Sequence, residues 1–217
     1  MTTDEKLKAD VLEELAWEPQ VDAAHIGVTA KSGVVTLLGH VGSFAEKYAA
    51  ELAVRRVRGV RAIAQELEVH LPEHKKRADD EIAGRAIAIL QWDGSIPADR
   101  IKVKVERGYV TLTGEVEWNY QKAEIERAVQ KLSGVTGIRN AIAVTPRIDT
   151  PDVRARIRSA LERDAALDAA AISVATVGGT VVLTGKVRGL AERDAAERAA
   201  WSAPGVTKVE DHITVGF

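Results

Sequence analysis

Five histidines are the residues of this chain best suited to metal or acid–base chemistry: His25, His40, His70, His74 and His212. His70 and His74 are four residues apart, a spacing that can place two metal ligands on one helical face. Pro72 lies between them in a linker-like stretch and disfavours a helix there. No two of the five occupy equivalent places in the repeat described below. The sequence therefore predicts no metal site.

Nucleophilic and phosphate-transfer chemistry also lack their usual patterns. A hydrolytic nucleophile needs a positioned base, but the Ser and Thr residues lie in alternating segments or turns without a G-x-S-x-G elbow. The run from Gly179 to Lys186 has one residue too many between its glycines for a phosphate-binding loop, and Val187 follows the lysine. Cysteine is absent, which excludes thiolate chemistry and disulfides. We expect neither enzyme activity nor a cofactor.

One short phrase occurs three times, as GVVTLLG at 33–39, GYVTLTG at 108–114 and GTVVLTG at 179–185. In each copy a Gly-Val pair follows twenty-six residues after the first glycine, and an isoleucine precedes that glycine by seven. Because this register holds without a gap, the chain consists of tandem repeats of one unit. We assign three modules, at 1–74, 75–148 and 149–217.

Hydrophobic periodicity predicts the elements of each module. Leu7, Val11 and Leu15 recur at helical spacing, and the strict alternation at 101–105 indicates a strand with one covered face. Each module is therefore α-β-β-α-β, an α+β fold with a three-stranded mixed sheet and two helices on one face. The second glycine of each phrase falls on the covered side of a strand, which predicts close backbone approach, a bulge or a crossing helix.

The phrase G-x-V-x-L-x-G-x-V, here Gly108 to Val116, resembles the BON domain, the bacterial osmotically inducible and nodulation domain. The later Gly134-Val135 pair and the run 138–144 resemble it too, and the likeness extends over nearly the whole chain three times. The resemblance implies the α-β-β-α-β order, a bacterial stress response and envelope maintenance. Binding to phospholipid surfaces is the function most often proposed for this family, and some members bind other ligands.

Composition indicates a folded protein, with 46% hydrophobic and 29% charged residues and a net charge of −2. The first twenty residues contain acids and no apolar stretch of the kind found in export signals. We expect a cytoplasmic protein, or a periplasmic one if a native signal was removed. Nucleic acid is not an expected partner, because the one dense basic run, at 74–77, is followed after one alanine by three acids.

The middle module alone is basic. Counting Lys and Arg against Asp and Glu, the net charge is −4 for 1–74, +2 for 75–149 and 0 for 150–217. Lys102 and Lys104 alternate with apolar residues, so both should lie on the sheet surface opposite the helices. Tyr109, Thr111 and Arg139 should share that surface. These residues suit phosphate headgroups or another anion, whereas a solvated sheet face is the alternative.

Aromatic residues indicate a second surface. Trp118 and Tyr120 lie at the entry of the middle module's second helix, where they suit either a membrane interface or an interdomain wedge. Trp17 and Trp92 are equivalent in the repeat, and we expect both to pack.

Apolar side chains lie at the open-face positions of the outer modules. Val34 and Leu38 in the first module, with Ala175 and Val182 in the third, would be poor neighbours for solvent as a group. We expect these faces to pack on a neighbouring module or another molecule. Trp201, which has no aromatic counterpart in the other repeats, should mark a contact special to the third module.

The leading hypothesis is a non-catalytic, stress-associated monomer that contacts anionic phospholipid surfaces through its middle module. One alternative is a cytosolic sensor that binds a small ligand or a cation at the module junctions through carboxylates and backbone carbonyls. Another is a chaperone-like protein-interaction module that uses the exposed sheet faces.

Overall fold

The computed structural model describes residues 3–145, 152–164 and 167–216. The first module follows the expected order of elements: α1 (Thr3–Trp17), β1 (Ile26–Lys31), β2 (Val34–Val41), α2 (Phe44–Arg56) and β3 (Ala62–Val69). The middle module repeats it: α3 (Asp79–Trp92), β4 (Ile101–Glu106), β5 (Tyr109–Val116), α4 (Asn119–Gln130) and β6 (Gly137–Val144). The third module does so again: α5 (Val153–Arg163), β7 (Ile172–Val177), β8 (Thr180–Val187), α6 (Leu190–Trp201) and β9 (Lys208–Val215). The α+β fold and the three repeated modules are confirmed.

Each module has its own three-stranded sheet, with the second strand of the module in the centre. The first two strands form an antiparallel hairpin, as β1 with β2 and β4 with β5. The chain then crosses over through a helix and returns parallel to the central strand, as β3 and β6. A parallel partner requires such a crossover, which is why a helix separates the second and third strands.

One face of each sheet carries the core. In the middle module the buried Ile82, Ala86 and Leu90 of α3 and Ile125 and Val129 of α4 lie at helical spacing. The covered side of β5 contributes Val110, Leu112 and Val116, which are almost completely buried. A fully buried aliphatic side chain stabilises the fold by about 1.5–3 kcal/mol. The helices therefore cover one face only, and the opposite face stays open in each module.

The second glycine of the repeated phrase is required by close backbone approach, one of the three predicted reasons. Gly114 has φ of +134°, and a Cβ built there would lie 2.1 Å from the carbonyl oxygen of Arg100. Gly39 and Gly185 show the same 2.1 Å approach to the equivalent carbonyls. No other residue fits at this point, so the glycine fixes the register in which the hairpin strands pair.

An acid at the start of the first helix ties that helix to the hairpin turn. In the middle module, Asp79 accepts hydrogen bonds from the backbone amides of Arg107 (2.7 Å) and Gly108 (2.8 Å). Both turn residues have positive φ, 52° and 77°. Asp4 accepts from the equivalent Ser32 amide at 3.0 Å. These bonds hold the end of the hairpin beside the helix that covers it.

The chain divides into two compact units. The first module up to Lys76 lies in one unit, and the middle module, from Arg77, lies in the other. The third module contributes Val187–Arg193 and the residues from Val215 onward to the first unit and the rest of its residues to the second. The assigned boundary between the second and third modules, 148/149, falls outside the described residues. Among the described residues, the helices are too short or too polar to cross a lipid bilayer.

Candidate anion-binding surface

The open face of the middle module is built by the pairing of its three strands. Lys104 of β4 lies opposite Thr111 of β5, and Thr111 lies opposite Arg139 of β6. Two residues further along each strand, Lys102 lies opposite Thr113. Because side chains of paired residues share a face, these five residues form one continuous polar surface. We call it the basic face.

The cations of the basic face are accessible to a ligand. Lys102, Lys104 and Arg139 are all exposed, while Thr111 between them is half-buried. Among the described residues, Lys102 and Arg139 take part in no ion pair. The sequence-based prediction that these side chains share a face therefore agrees with the register, and an anion would meet both ammonium and guanidinium donors there.

Two acids border the basic face. Neither was predicted to lie there. Glu106 follows Lys104 on the same side of β4, and its Oε1 lies 3.0 Å from Lys104 Nζ. Glu115, two residues beyond Thr113 on β5, is exposed on the same face. The Lys104–Glu106 pair is exposed on both sides, and such pairs contribute about 0–1 kcal/mol. Lys104 can therefore exchange Glu106 for a phosphate at low cost, but the local potential is less positive than three cations alone would make it.

The ring of Tyr109 lies beside a glycine of the neighbouring strand at one end of the basic face. Its partner on β6 is Gly137, and a Cβ built on Gly137 would lie 2.6 Å from the Cδ2 atom of the Tyr109 ring. The ring is 47% exposed. Alanine and lysine occupy the place of Gly137 in the other modules, as Ala62 and Lys208. The pairing of a tyrosine with a glycine is thus special to the middle module. Both residues are visible in the sequence, but their pairing can be seen only when the register between β5 and β6 is known.

Trp118 and Tyr120 are not part of the basic face. They lie at the start of α4, which packs on the covered side of the sheet, and are 37% and 54% exposed. Gln121 caps this helix: its Oε1 accepts from the amides of Glu117 and Trp118, both at 3.1 Å. Its Nε2 donates to the Ser95 carbonyl at 2.8 Å. The two aromatic rings therefore belong to a separate, helix-side surface, whose role in membrane or domain contact stays a prediction.

Trp17 and Trp92 do not pack as expected. Trp17 is 83% exposed and Trp92 is 91% exposed, so the expectation that this repeated tryptophan packs is wrong. The physical reason is position: each is two residues beyond the last buried leucine of its helix, Leu15 or Leu90, and that step turns the side chain away from the buried stripe.

The open faces of the outer modules carry the apolar side chains that were predicted there. Val34 is 42% exposed and Leu38 36% exposed, and Ala175 is also exposed. Val182 and Trp201 are half-buried, and the Trp201 Nε1 donates to Glu197 at 3.4 Å within the same helix. The partner that these residues were expected to pack against stays a prediction.

The solved structures that match this chain include two of CdsD, described as a structural protein of the type III secretion system of Chlamydia trachomatis. Both are 15% identical in sequence, with TM-scores of 0.27 and 0.28. They cover 97% and 100% of this chain, and 92% and 100% of theirs. Superpositions of this quality carry no argument about function.

Sequence comparison is more informative. The chain is 28% identical over 141 residues to osmotically-inducible protein Y of Escherichia coli (strain K12), which corresponds to 63% of this chain and 70% of that protein. The family model of the BON domain matches three times, at residues 3–70, 78–146 and 149–216. These matches coincide with the three repeats seen in the fold. The chain therefore belongs to the BON domain family.

Proposed function

We propose that this protein is a non-catalytic binding protein of the osmotic stress response whose middle module contacts anionic phospholipid surfaces. The observation that carries the proposal is the basic face, in which Lys102, Lys104 and Arg139 project from an uncovered sheet. Similarity to an osmotically inducible protein supports the association with stress. The absence of the basic face from the other two modules makes the middle module the preferred site of contact.

The chemistry of the basic face suits phosphate headgroups. Ammonium and guanidinium groups form charge-assisted hydrogen bonds to phosphate oxygens, and the threonine hydroxyls can add further donors. Each Lys or Arg near an anionic membrane is worth about 1 kcal/mol. Three cations would therefore contribute about 3 kcal/mol before the opposing effect of Glu106 and Glu115. This predicts weak, reversible and salt-sensitive attachment.

Flotation with liposomes tests the proposal. Full-length protein is mixed with anionic or neutral liposomes, each at low and at physiological salt, where the Debye length is about 8 Å. We expect capture by anionic liposomes only, and less of it at the higher salt. The variant Lys102→Glu/Lys104→Glu should lose this capture.

A matched control separates the basic face from net charge. Lys6 and Lys8 are exposed on α1, so Lys6→Glu/Lys8→Glu makes the same change in total charge elsewhere. We expect this control to float like the unaltered protein. Equal loss in both variants would show that only the overall charge matters and would refute a specific site. No capture under any condition would refute the membrane function altogether.

A further inference from the structure

Three of the five histidines come together at one end of the first module's sheet. His25 lies immediately before β1, His40 near the end of β2 and His70 immediately after β3. The ring centroids of His25 and His40 are 4.7 Å apart, and those of His40 and His70 are 4.9 Å apart. The second pair is stacked, with 21° between the ring planes. We call this group the histidine row.

The alternation of the strands places the histidine row on the open face. Val35, Leu37 and Val41 of β2 are buried on the covered side, so His40 lies on the opposite side. Ile26 of β1 is buried, and its neighbour His25 is exposed. In β3 the residue paired with His40 is Glu68, which is exposed on the same open face, two residues before His70.

Two carboxylates lie beside the histidine row. Glu68 Oε2 lies 3.1 Å from His70 Nε2, and Asp22 Oδ2 lies 4.0 Å from His25 Nδ1. These acids are consistent with the −4 charge of residues 1–74 and favour a bound cation.

The other modules show that the fold does not require histidine at these places. The residues equivalent to His25, His40 and His70 are Arg100, Glu115 and Thr145 in the middle module, and Ala171, Lys186 and Gly216 in the third. Both modules form the same hairpin and sheet. The histidine row is therefore an addition of the first module to a surface that packing leaves free.

We propose that His25, His40 and His70 bind a divalent transition-metal ion of the zinc class, with Glu68 as a fourth ligand. Neutral imidazole and carboxylate are the donors of such sites, and three histidines with one acid complete a tetrahedral set. Within the part of the chain that the structure describes, no group of three or more His, Cys, Asp or Glu side chains is placed so that it could hold a metal ion. The site therefore forms by rotation of side chains.

That rotation costs little. The side chains of His25 and His70 are 56% and 60% exposed, so turning them about their own torsions unpacks no part of the core. The ring centroids of His25 and His70 each lie less than 5 Å from that of His40. A metal ion beside His40 would therefore lie within reach of both side chains. A metal held there would link all three strands of the first sheet and stabilise the module that carries it.

Calorimetric titration of the full-length protein with Zn²⁺ tests the proposal. We expect one Zn²⁺ per chain, a rise in the melting temperature, and weaker binding at about pH 5.5 than at about pH 7.5, because protons compete for imidazole nitrogens. Co²⁺ should give the absorption spectrum of a tetrahedral site. Mg²⁺ should neither bind nor stabilise, since it prefers oxygen ligands.

Single substitutions locate the site. His40→Gln and His70→Gln should each weaken Zn²⁺ binding by more than about tenfold. His212→Gln, in the third module, is the matched control and should leave binding unchanged. His70 is exposed, so its variant tests the site even if His40→Gln impairs folding. Absence of one-to-one binding, or equal binding by the His70 variant and the unaltered protein, would overturn the proposal. Either result is independent of the basic face, which lies in a different module.

Discussion

Replacement of Gly114 by alanine should disrupt the middle module more than any other single-methyl change on its sheet. The added Cβ would lie 2.1 Å from the Arg100 carbonyl oxygen, whereas real Cβ contacts are longer than 3.0 Å, so β4 and β5 must separate by about an ångström. The φ of +134° is also a region that only glycine occupies easily, at a cost of about 1–3 kcal/mol for other residues. Together with the clash, we expect a loss of about 3 kcal/mol or more.

A second glycine provides the matched control. Gly84 lies in the middle of α3, and a Cβ built there meets nothing within 4 Å. Gly84→Ala should therefore stabilise the same module by about 0.5–1 kcal/mol, the helix-propensity difference between the two residues. The two variants add one methyl group each, and the structure predicts opposite signs.

Hydrogen exchange read by mass spectrometry can assign the effect to the module. In Gly114→Ala the amides of β4, β5 and β6 should lose protection, and in Gly84→Ala they should gain it, with peptides from β1 to β3 as the internal reference. The alanine at 114 should also lower liposome capture, because Gly114 fixes the register that sets Lys102 opposite Thr113. Unchanged protection in Gly114→Ala would refute the argument that this glycine determines the hairpin register.

Three further predictions concern the core, the surface and the pH dependence. Ile125→Ala removes a fully buried side chain of α4 and should cost about 2–5 kcal/mol in denaturant unfolding. Trp17→Ser and Trp92→Ser should each change the free energy of unfolding by less than about 0.5 kcal/mol, since both rings are in solvent; a larger loss would show that they pack. The hydrogen bond from Arg56 lowers the pKa of Glu18 below 4.5. The Glu18–Arg56 pair therefore stabilises the fold above that pH, and this stabilisation is lost as the pH falls through the lowered pKa. Glu18→Gln should flatten the acid limb of the stability profile measured by thermal unfolding, and an unchanged limb would contradict the assignment.

The repeat made the fold predictable from sequence. Three aligned copies distinguish core positions, which keep apolar side chains, from glycines with a backbone role, such as Gly114 within β5. For Gly114 the periodicity predicted three possible reasons, and the structure shows which one applies. The exposure of Trp92 was not predictable in this way, because equivalence in a repeat indicates a shared environment without saying whether that environment is buried. Trp92 lies two positions beyond Leu90, the last buried residue of its helix, and this position is what indicates that its side chain is exposed.

Side-chain groupings across strands were only partly predictable. Lys102 and Lys104 could be assigned to the open face from alternation within one strand. The pairing of Tyr109 with Gly137 needed the register between β5 and β6, which alternation does not supply. The histidine row was missed because its members are far apart in sequence and none has a histidine at the equivalent place of another module. The three histidines meet because the sheet brings the start of β1 and the ends of β2 and β3 together at one end.

The division between covered and open faces explains how one fold can carry different tasks in one chain. Packing fixes the covered positions, so all three modules bury aliphatic side chains there. The open positions are constrained only by the strand pairing, and there the modules differ: imidazoles and leucine in the first, cations and tyrosine in the middle one, small and β-branched residues in the third. Changes on an open face should therefore leave the fold intact while altering one binding property. It follows that His70→Gln and Lys102→Glu/Lys104→Glu should affect metal binding and liposome capture separately. A variant on one face that abolished both activities would show that the modules act as one unit.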